Sequence, residues 1–261
     1  MAEVEAERQG SMVTISIDRP AARNAIALST MRALQETLDR VTAEQTSVLI
    51  LRGAGDRAFV SGGDLKELAT LRTVEEASAM AVQMRELLDR VANLPMPTIA
   101  AINGHALGGG AEVAVACDLR VAVDDATIAF NQAQLAIMPA WGGVERLVQL
   151  VGRSAAMEML LSRSRLNAQE AHRVGLVNRV VPRRDFEQDV EDFASAIADI
   201  AAPVAKAIKA TVNEACPNTH PRSQAAAVRA FAELWAADAH WEAVDRLQAV
   251  KAPRAKGEEG R

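Results

Sequence analysis

Cysteine is scarce in this chain. Cys117 and Cys216 are the only two among 261 residues, and they lie far apart. No CxxC or other metal-ligand spacing results, which excludes a disulfide scaffold and a cysteine metal site and leaves two reduced core thiols as the expectation. Tyrosine is absent, and three Trp and five Phe make up the aromatics. No apolar run reaches the roughly 18 residues that cross a bilayer. The N-terminal MAEVEAERQG is acidic and polar, without the apolar core of a signal peptide. Basic residues are outnumbered, 29 Lys and Arg against 34 Asp and Glu, for a net charge of −5. That balance argues against a nucleic-acid partner. The expectation is a soluble, cytoplasmic protein with no membrane contact. Several catalytic signatures are also missing: no GxSxG, no HExxH, no GxGxxG, and GHALGGG lacks the lysine of a phosphate loop. Serine-hydrolase, zinc-protease and dinucleotide chemistry are thereby set aside, and neither a metal nor a separate cofactor is implied.

What is present reads as a globular α/β chain, 49% hydrophobic and 24% charged. Met12–Ile17 alternates, with Val13, Ile15 and Ile17 on one face, as a half-buried strand does. Ser29 is the expected N-cap of a helix carrying Met31, Leu34, Leu38 and Val41. Ser47–Leu51 is a nearly continuous apolar run, fit for a strand covered on both faces. Thr73–Asn93 is a long amphipathic helix stopped by Pro95 and Pro97, and Gly175–Val181 reads as a last short strand. Beyond residue 185 the alternation gives way to four Ala-rich helical segments. The chain divides on this pattern into an α/β core, 1–184, and a helical region, 185–261.

Two stretches repeat one design: strand, glycine turn, helix start. In AFVSGGDLKEL an apolar strand meets Ser61-Gly62-Gly63-Asp64. In INGHALGGGAEVAVACDLRVA the strand meets Gly108-Gly109-Gly110 and a helix with Glu112 in its first turn. Glycines allow close approach of a backbone to a ligand. The first amides of a helix lack intrahelical partners and favour a negative oxygen. The amides following Gly62 and Gly108 can converge on one carbonyl oxygen, and Glu112 would stand beside it as acid or base. A thioester suits such chemistry, because its α-hydrogen is comparatively acidic.

The chain resembles the crotonase superfamily, the enoyl-CoA hydratase/isomerase proteins. The likeness rests on IDRPAARNAI, AFVSGGDLKEL, PTIAAINGHALGGGAEVAVACDLRVA, LAIMPAWGGVERL and AHRVGLVNRVV, and runs almost end to end. The resemblance implies a spiral of ββα turns with a C-terminal helical region that builds trimers, often paired into hexamers. It implies a coenzyme A thioester as substrate, its carbonyl oxygen held by the amides of Gly63 and Gly109. Substrate contacts are expected along Ser61, Asp64 and Lys66, at the loop holding Arg23, and from Lys251 of the last helix. Trp141 either walls an acyl pocket, set by Thr70–Met84 and Ala140-Trp141, or packs in the core.

Hydratases of the superfamily carry two glutamates. The first falls on Glu112. The second, seven residues before the proline of the LAIMP-like motif, falls on Gln132. A glutamine orients water or substrate but exchanges no proton near neutral pH. The expected activity is therefore addition or removal of water at the Cα=Cβ bond, with Glu112 as acid/base and Gln132 in support. An enoyl-CoA isomerase or acyl-CoA decarboxylase is the alternative within enzymes, and a non-catalytic acyl-CoA binder the alternative outside them.

Overall fold

A computed structural model describes residues 3–41, 45–216 and 221–251. It opens with an antiparallel hairpin, β1 (Val4–Gln9) and β2 (Met12–Ile17). Helix α1 (Leu28–Arg40) follows. It begins before the expected cap: Ser29 lies within the helix, and the Thr30 hydroxyl accepts the Ala27 N–H instead, at 3.2 Å. β1 has no counterpart in the sequence reading, because only Val4 of its six residues is buried and an edge strand rich in charge lacks an apolar period.

The next three passages of chain each lay one strand in a first sheet and one in a second, and each then returns through helix. They are β3 (Val48–Gly53) and β4 (Ala58–Val60), then β5 (Thr98–Ile102) and β6 (His105–Leu107), then β7 (Leu119–Val123) and β8 (Thr127–Ala129). The returning helices are α2 (Leu65–Leu68) with α3 (Val74–Ala92), then α4 (Gly109–Ala116), then α5 (Gly143–Ser162), which is interrupted at Gly152. Strand β9 (Leu166–Asn167), helix α6 (Ala168–Arg173) and strand β10 (Arg179–Val181) complete the spiral. The first sheet has the order β1-β2-β3-β5-β7-β10, parallel except for the hairpin. The second has the order β4-β6-β8-β9, parallel from β4 to β8. This is the ββα spiral that the resemblance implies. β10 is shorter than expected: Gly175 ends α6 at φ 79°, and the Leu176 and Val177 amides turn back to the Ala171 carbonyl.

The apolar runs of β3, β5 and β7 are buried on both faces, as crossover helices on a parallel sheet require. Met80, Met84, Leu87, Leu88 and Val91 of α3 cover the sheet. Four helices follow: α7 (Phe186–Ala198), α8 (Ala202–Ala215), α9 (Pro221–Ala236) and α10 (Asp238–Lys251). α9 lies along α3, and its Val228, Phe231, Ala232 and Trp235 join the same apolar core. Cys117 is buried, but Cys216 is exposed at the end of α8 rather than in the core, and both are free thiols. No helix among the described residues is long and apolar enough to cross a membrane.

Candidate active site

The second sheet positions the site. β4, β6 and β8 run parallel, in register Val60 with Ala106 and Leu107 with Ala129, so their carboxyl ends reach one edge together. Each strand releases a different loop there: Ser61–Asp64 from β4, Gly108–Gly109 from β6, and Asn131–Gln132 from β8. The strands are only three residues long, yet they bring together segments far apart in the chain. A cleft of about 520 Å³ opens at this edge.

The first glycine turn is pinned on both sides. The Ile26 N–H donates to the Gly62 carbonyl at 2.8 Å, and the Asp64 N–H donates to the Ile26 carbonyl at 2.8 Å. Among the described residues the Gly63 N–H between them meets no acceptor. The Gly109 N–H opens helix α4 and is likewise uncommitted. A Cβ built on Gly62 would fall 3.5 Å from the Gly109 nitrogen, so the two turns abut. The Trp141 indole covers them: it would lie 2.1 Å from a Cβ on Gly109 and 3.7 Å from one on Gly63. Gly109 is therefore glycine because the indole occupies its side-chain space.

Glu112 is buried in the first turn of α4. Its Oε1 accepts the Trp141 N–H at 2.8 Å and the Gly143 N–H at 3.0 Å. Its Oε2 accepts the Gln132 Nε2–H at 2.9 Å. A carboxylate has about four acceptor positions, so one remains, on Oε2. Burial pushes its pKa up from 4.5 to about 7, against the three hydrogen bonds and the Arg146 charge that favour the ionised form. Gln132 is only 7% exposed, and its Oε1 is a buried acceptor without a hydrogen-bond partner. Gly143 fits beneath the carboxylate because it has no side chain: a Cβ there would fall 2.4 Å from Glu112 Cγ.

Arg23, Ser61, Gly63, Asp64, Gly109, Glu112, Gln132 and Trp141 all line the cleft. Lys66 does not; it is exposed on α2, and among the described residues its amide donates to Asp64. The Asp64 carboxylate is occupied as well, capping α2 through Lys66 and Glu67 and pairing with Arg19 at 2.9 Å. It shapes the turn from within. Arg23 stands at the rim in left-handed backbone, φ 54°, followed by Asn24 at φ 56°. The buried Asn24 amide fixes that loop to the Ala54 and Ala58 carbonyls. The Lys251 side chain lies outside the described residues.

The sequence reading missed Phe231 and Trp235 of α9 and Leu247 of α10, which close the apolar end of the cleft with Leu68, Met80 and Ile137. The available signal was the helical spacing of Phe231 and Trp235, indistinguishable in sequence from a packing stripe. Two bonds dock these helices onto the site: Trp235 Nε1–H donates to the Leu71 carbonyl at 2.8 Å, and His240 Nδ1–H to the Leu135 carbonyl at 2.6 Å.

A buried acid beside two uncommitted amides, in an apolar cleft at the carboxyl edge of a parallel sheet, can stabilise negative charge that develops on a carbonyl oxygen. Comparison with known proteins gives the family. The enoyl-CoA hydratase/isomerase family model matches residues 7–251, and the chain belongs to that family. It is 33% identical over 208 residues to the short-chain-enoyl-CoA hydratase of Clostridium acetobutylicum, covering 79% of each chain. It is 32% identical over 228 residues to the crotonyl-CoA hydratase of Syntrophomonas wolfei, covering 86% of each. Among solved structures, the enoyl-CoA hydratase of Bacillus anthracis superposes with a TM-score of 0.79 at 33% identity, over 96% of this chain and 95% of that one. The architecture is the crotonase fold.

Proposed function

We propose that the protein hydrates the Cα=Cβ bond of an enoyl-CoA thioester, and catalyses the reverse dehydration, with Glu112 as the single acid/base. The observation that carries this reading is the pair of open acceptors in one buried place: the last lone pair of Glu112 Oε2 and the unpartnered Oε1 of Gln132. A water molecule has two O–H donors and satisfies both. One proton passes to Glu112 as the water oxygen bonds to Cβ; the other hydrogen stays on oxygen and donates to Gln132. The π electrons of the double bond move onto the thioester oxygen, held by the Gly63 and Gly109 amides. Glu112 then returns its proton to Cα. One water is consumed and the carboxylate is regenerated. A pKa near 7 suits both halves of the cycle.

Isomerisation of a 3-enoyl thioester would use the same carboxylate and amides but would leave the Gln132 acceptor empty. Gln132→Ala separates the two readings. Under hydration it lowers turnover of crotonyl-CoA on the order of 10²-fold. Under isomerisation it lowers conversion of a 3-enoyl-CoA far less, through the lost bond to Glu112 alone. A protein that binds crotonyl-CoA and turns over neither substrate would be a binder only.

The cleft reaches Arg23 at its rim, which supports a role for Arg23 toward the phosphates of coenzyme A, and Lys251 is proposed for the same role. No cofactor beyond the substrate's own coenzyme A enters this scheme. The free state of both cysteines fits a reducing cytoplasm. Assembly into a trimer or hexamer is supported by a row of exposed apolar residues one turn apart on α8: Val204, Ile208 and Val212.

A further inference from the structure

Behind Glu112, away from the cleft, lies a charged group that the scheme above does not use. Arg146 sits in the first turn of α5, only 6% exposed. Its Nη1–H donates to the Trp141 carbonyl at 3.1 Å, and its Nη2–H donates to Asp89 of α3. Among the described residues its Nε has no hydrogen-bond partner. Gly142, at φ 90°, leaves the guanidinium its room: a Cβ there would fall 2.3 Å from Nη1. Trp141 is thus gripped at both ends of one residue, its amide by Glu112 and its carbonyl by Arg146.

Burying an arginine is costly unless its charge is matched. Its charge is shared: Asp89 is its bonded partner, and Glu112 is a further anion within its field. On α3, Arg85 pairs with Glu145 at 2.8 Å and with Asp89 at 3.8 Å. Asp89 also meets Arg146, but its side chain is 34% exposed and so partly screened. From the turn after β8, Gln132 brings no charge. Of the strands packed on α4, β6 carries His105, which is exposed and lines a different cleft. β7 carries Arg120, bonded to the Cys117 and Leu176 carbonyls at the far end of α4.

We propose that Arg146 is the positioning residue of this site, fixing the Trp141–Gly143 segment against Glu112 and supplying the buried positive charge that Glu112 faces. The role rests on the acid/base reading of Glu112. Without that charge the buried carboxyl ionises less readily and takes a proton from water less often at neutral pH. Without the bond to the Trp141 carbonyl, the indole over Gly63 and Gly109 loses its anchor.

The test reads the ionisation of Glu112 directly, by the ¹³C carboxyl resonance of glutamate-labelled full-length protein, assigned by its loss in Glu112→Gln. Arg146→Gln is expected to raise the midpoint by about half a pH unit. Asp89→Asn, which removes a competing anion, is expected to lower it by less. Arg146→Lys keeps a charge and loses the bond to Trp141, so the midpoint stays near that of the wild type while KM for crotonyl-CoA rises. The acidic limb of the hydration profile follows the same three directions. Equal midpoints in wild type, Arg146→Gln and Asp89→Asn would overturn the proposal, since a purely structural arginine lowers stability without moving that titration. Should Arg146→Gln not fold, Asp89→Asn decides: a lowered midpoint supports the role and an unchanged one refutes it. Midpoints that move as expected in a protein that does not hydrate crotonyl-CoA would leave the Arg146 role standing and remove the hydratase reading.

Discussion

Glu112 is held in the least comfortable place for a carboxylate, and the arrangement costs stability. Its native pKa of about 7 lies above the ordinary 4.5, so the folded state binds its proton more tightly than the unfolded state does. The cost is absent below the unfolded value, grows as pH rises through the interval between the two, and is complete above about 7. Its size is on the order of 3 kcal/mol. Glu112→Gln is therefore expected to abolish hydration and yet to raise Tm at pH 8 by roughly 6 °C. The gain fades as the pH is lowered toward 5. Thermal denaturation at the two pH values checks it; a Tm that falls equally at both would mean that the carboxylate stabilises the fold. Gly109→Ala is expected to be severe for a different reason. The added methyl group collides with the Trp141 ring, displacing either the indole or the helix start. Turnover should drop on the order of 10²-fold, and the double variant Gly109→Ala/Trp141→Leu should recover part of it.

At the scale of elements, the site depends on the three short parallel strands β4, β6 and β8 and on two C-terminal helices. Phe231 and Trp235 of α9 close the apolar end of the cleft, so Trp235→Ala should lengthen the acyl chain accepted. The expected result is a kcat/KM ratio of octenoyl-CoA to crotonyl-CoA raised by roughly tenfold, the worth of a few methylenes in an apolar pocket. An unchanged ratio would place the acyl group elsewhere. The same elements show what could be read from the chain. β2, β3, β5 and α3 declare themselves by alternation, by continuous apolar runs and by helical period, because burial there follows a regular face. β4, β6 and β8 are too short to show any period, and β1 exposes nearly all of its residues. Glu112 and the glycine turns were legible as a repeated strand, glycine turn and helix start, and the resemblance singled out their roles. The free acceptor of Gln132, the hold of Arg146 on Trp141 and the aromatic wall of α9 arise from contacts between distant segments. No local pattern encodes them.

For the whole molecule, the spiral and the helical region are packed as one apolar core, in which Phe231 and Trp235 of α9 join residues of α3 and β5. The apolar row on α8 remains open to solvent. If that row meets another copy, Ile208→Glu should reduce the oligomer to a monomer in sedimentation, with crotonyl-CoA hydration lowered far less than by Glu112→Gln. An unchanged sedimentation coefficient would place the contact on another face.

In the proposed scheme one carboxylate, Glu112, carries the whole proton cycle. The most direct measurement is the pH dependence of kcat/KM for crotonyl-CoA hydration in the wild type and in Glu112→Gln. Expected are a single acidic limb with its midpoint near 7, matching the raised pKa of Glu112, and no measurable hydration in the variant at any pH. A variant that keeps wild-type turnover, or a wild-type profile without a limb near 7, would contradict that scheme.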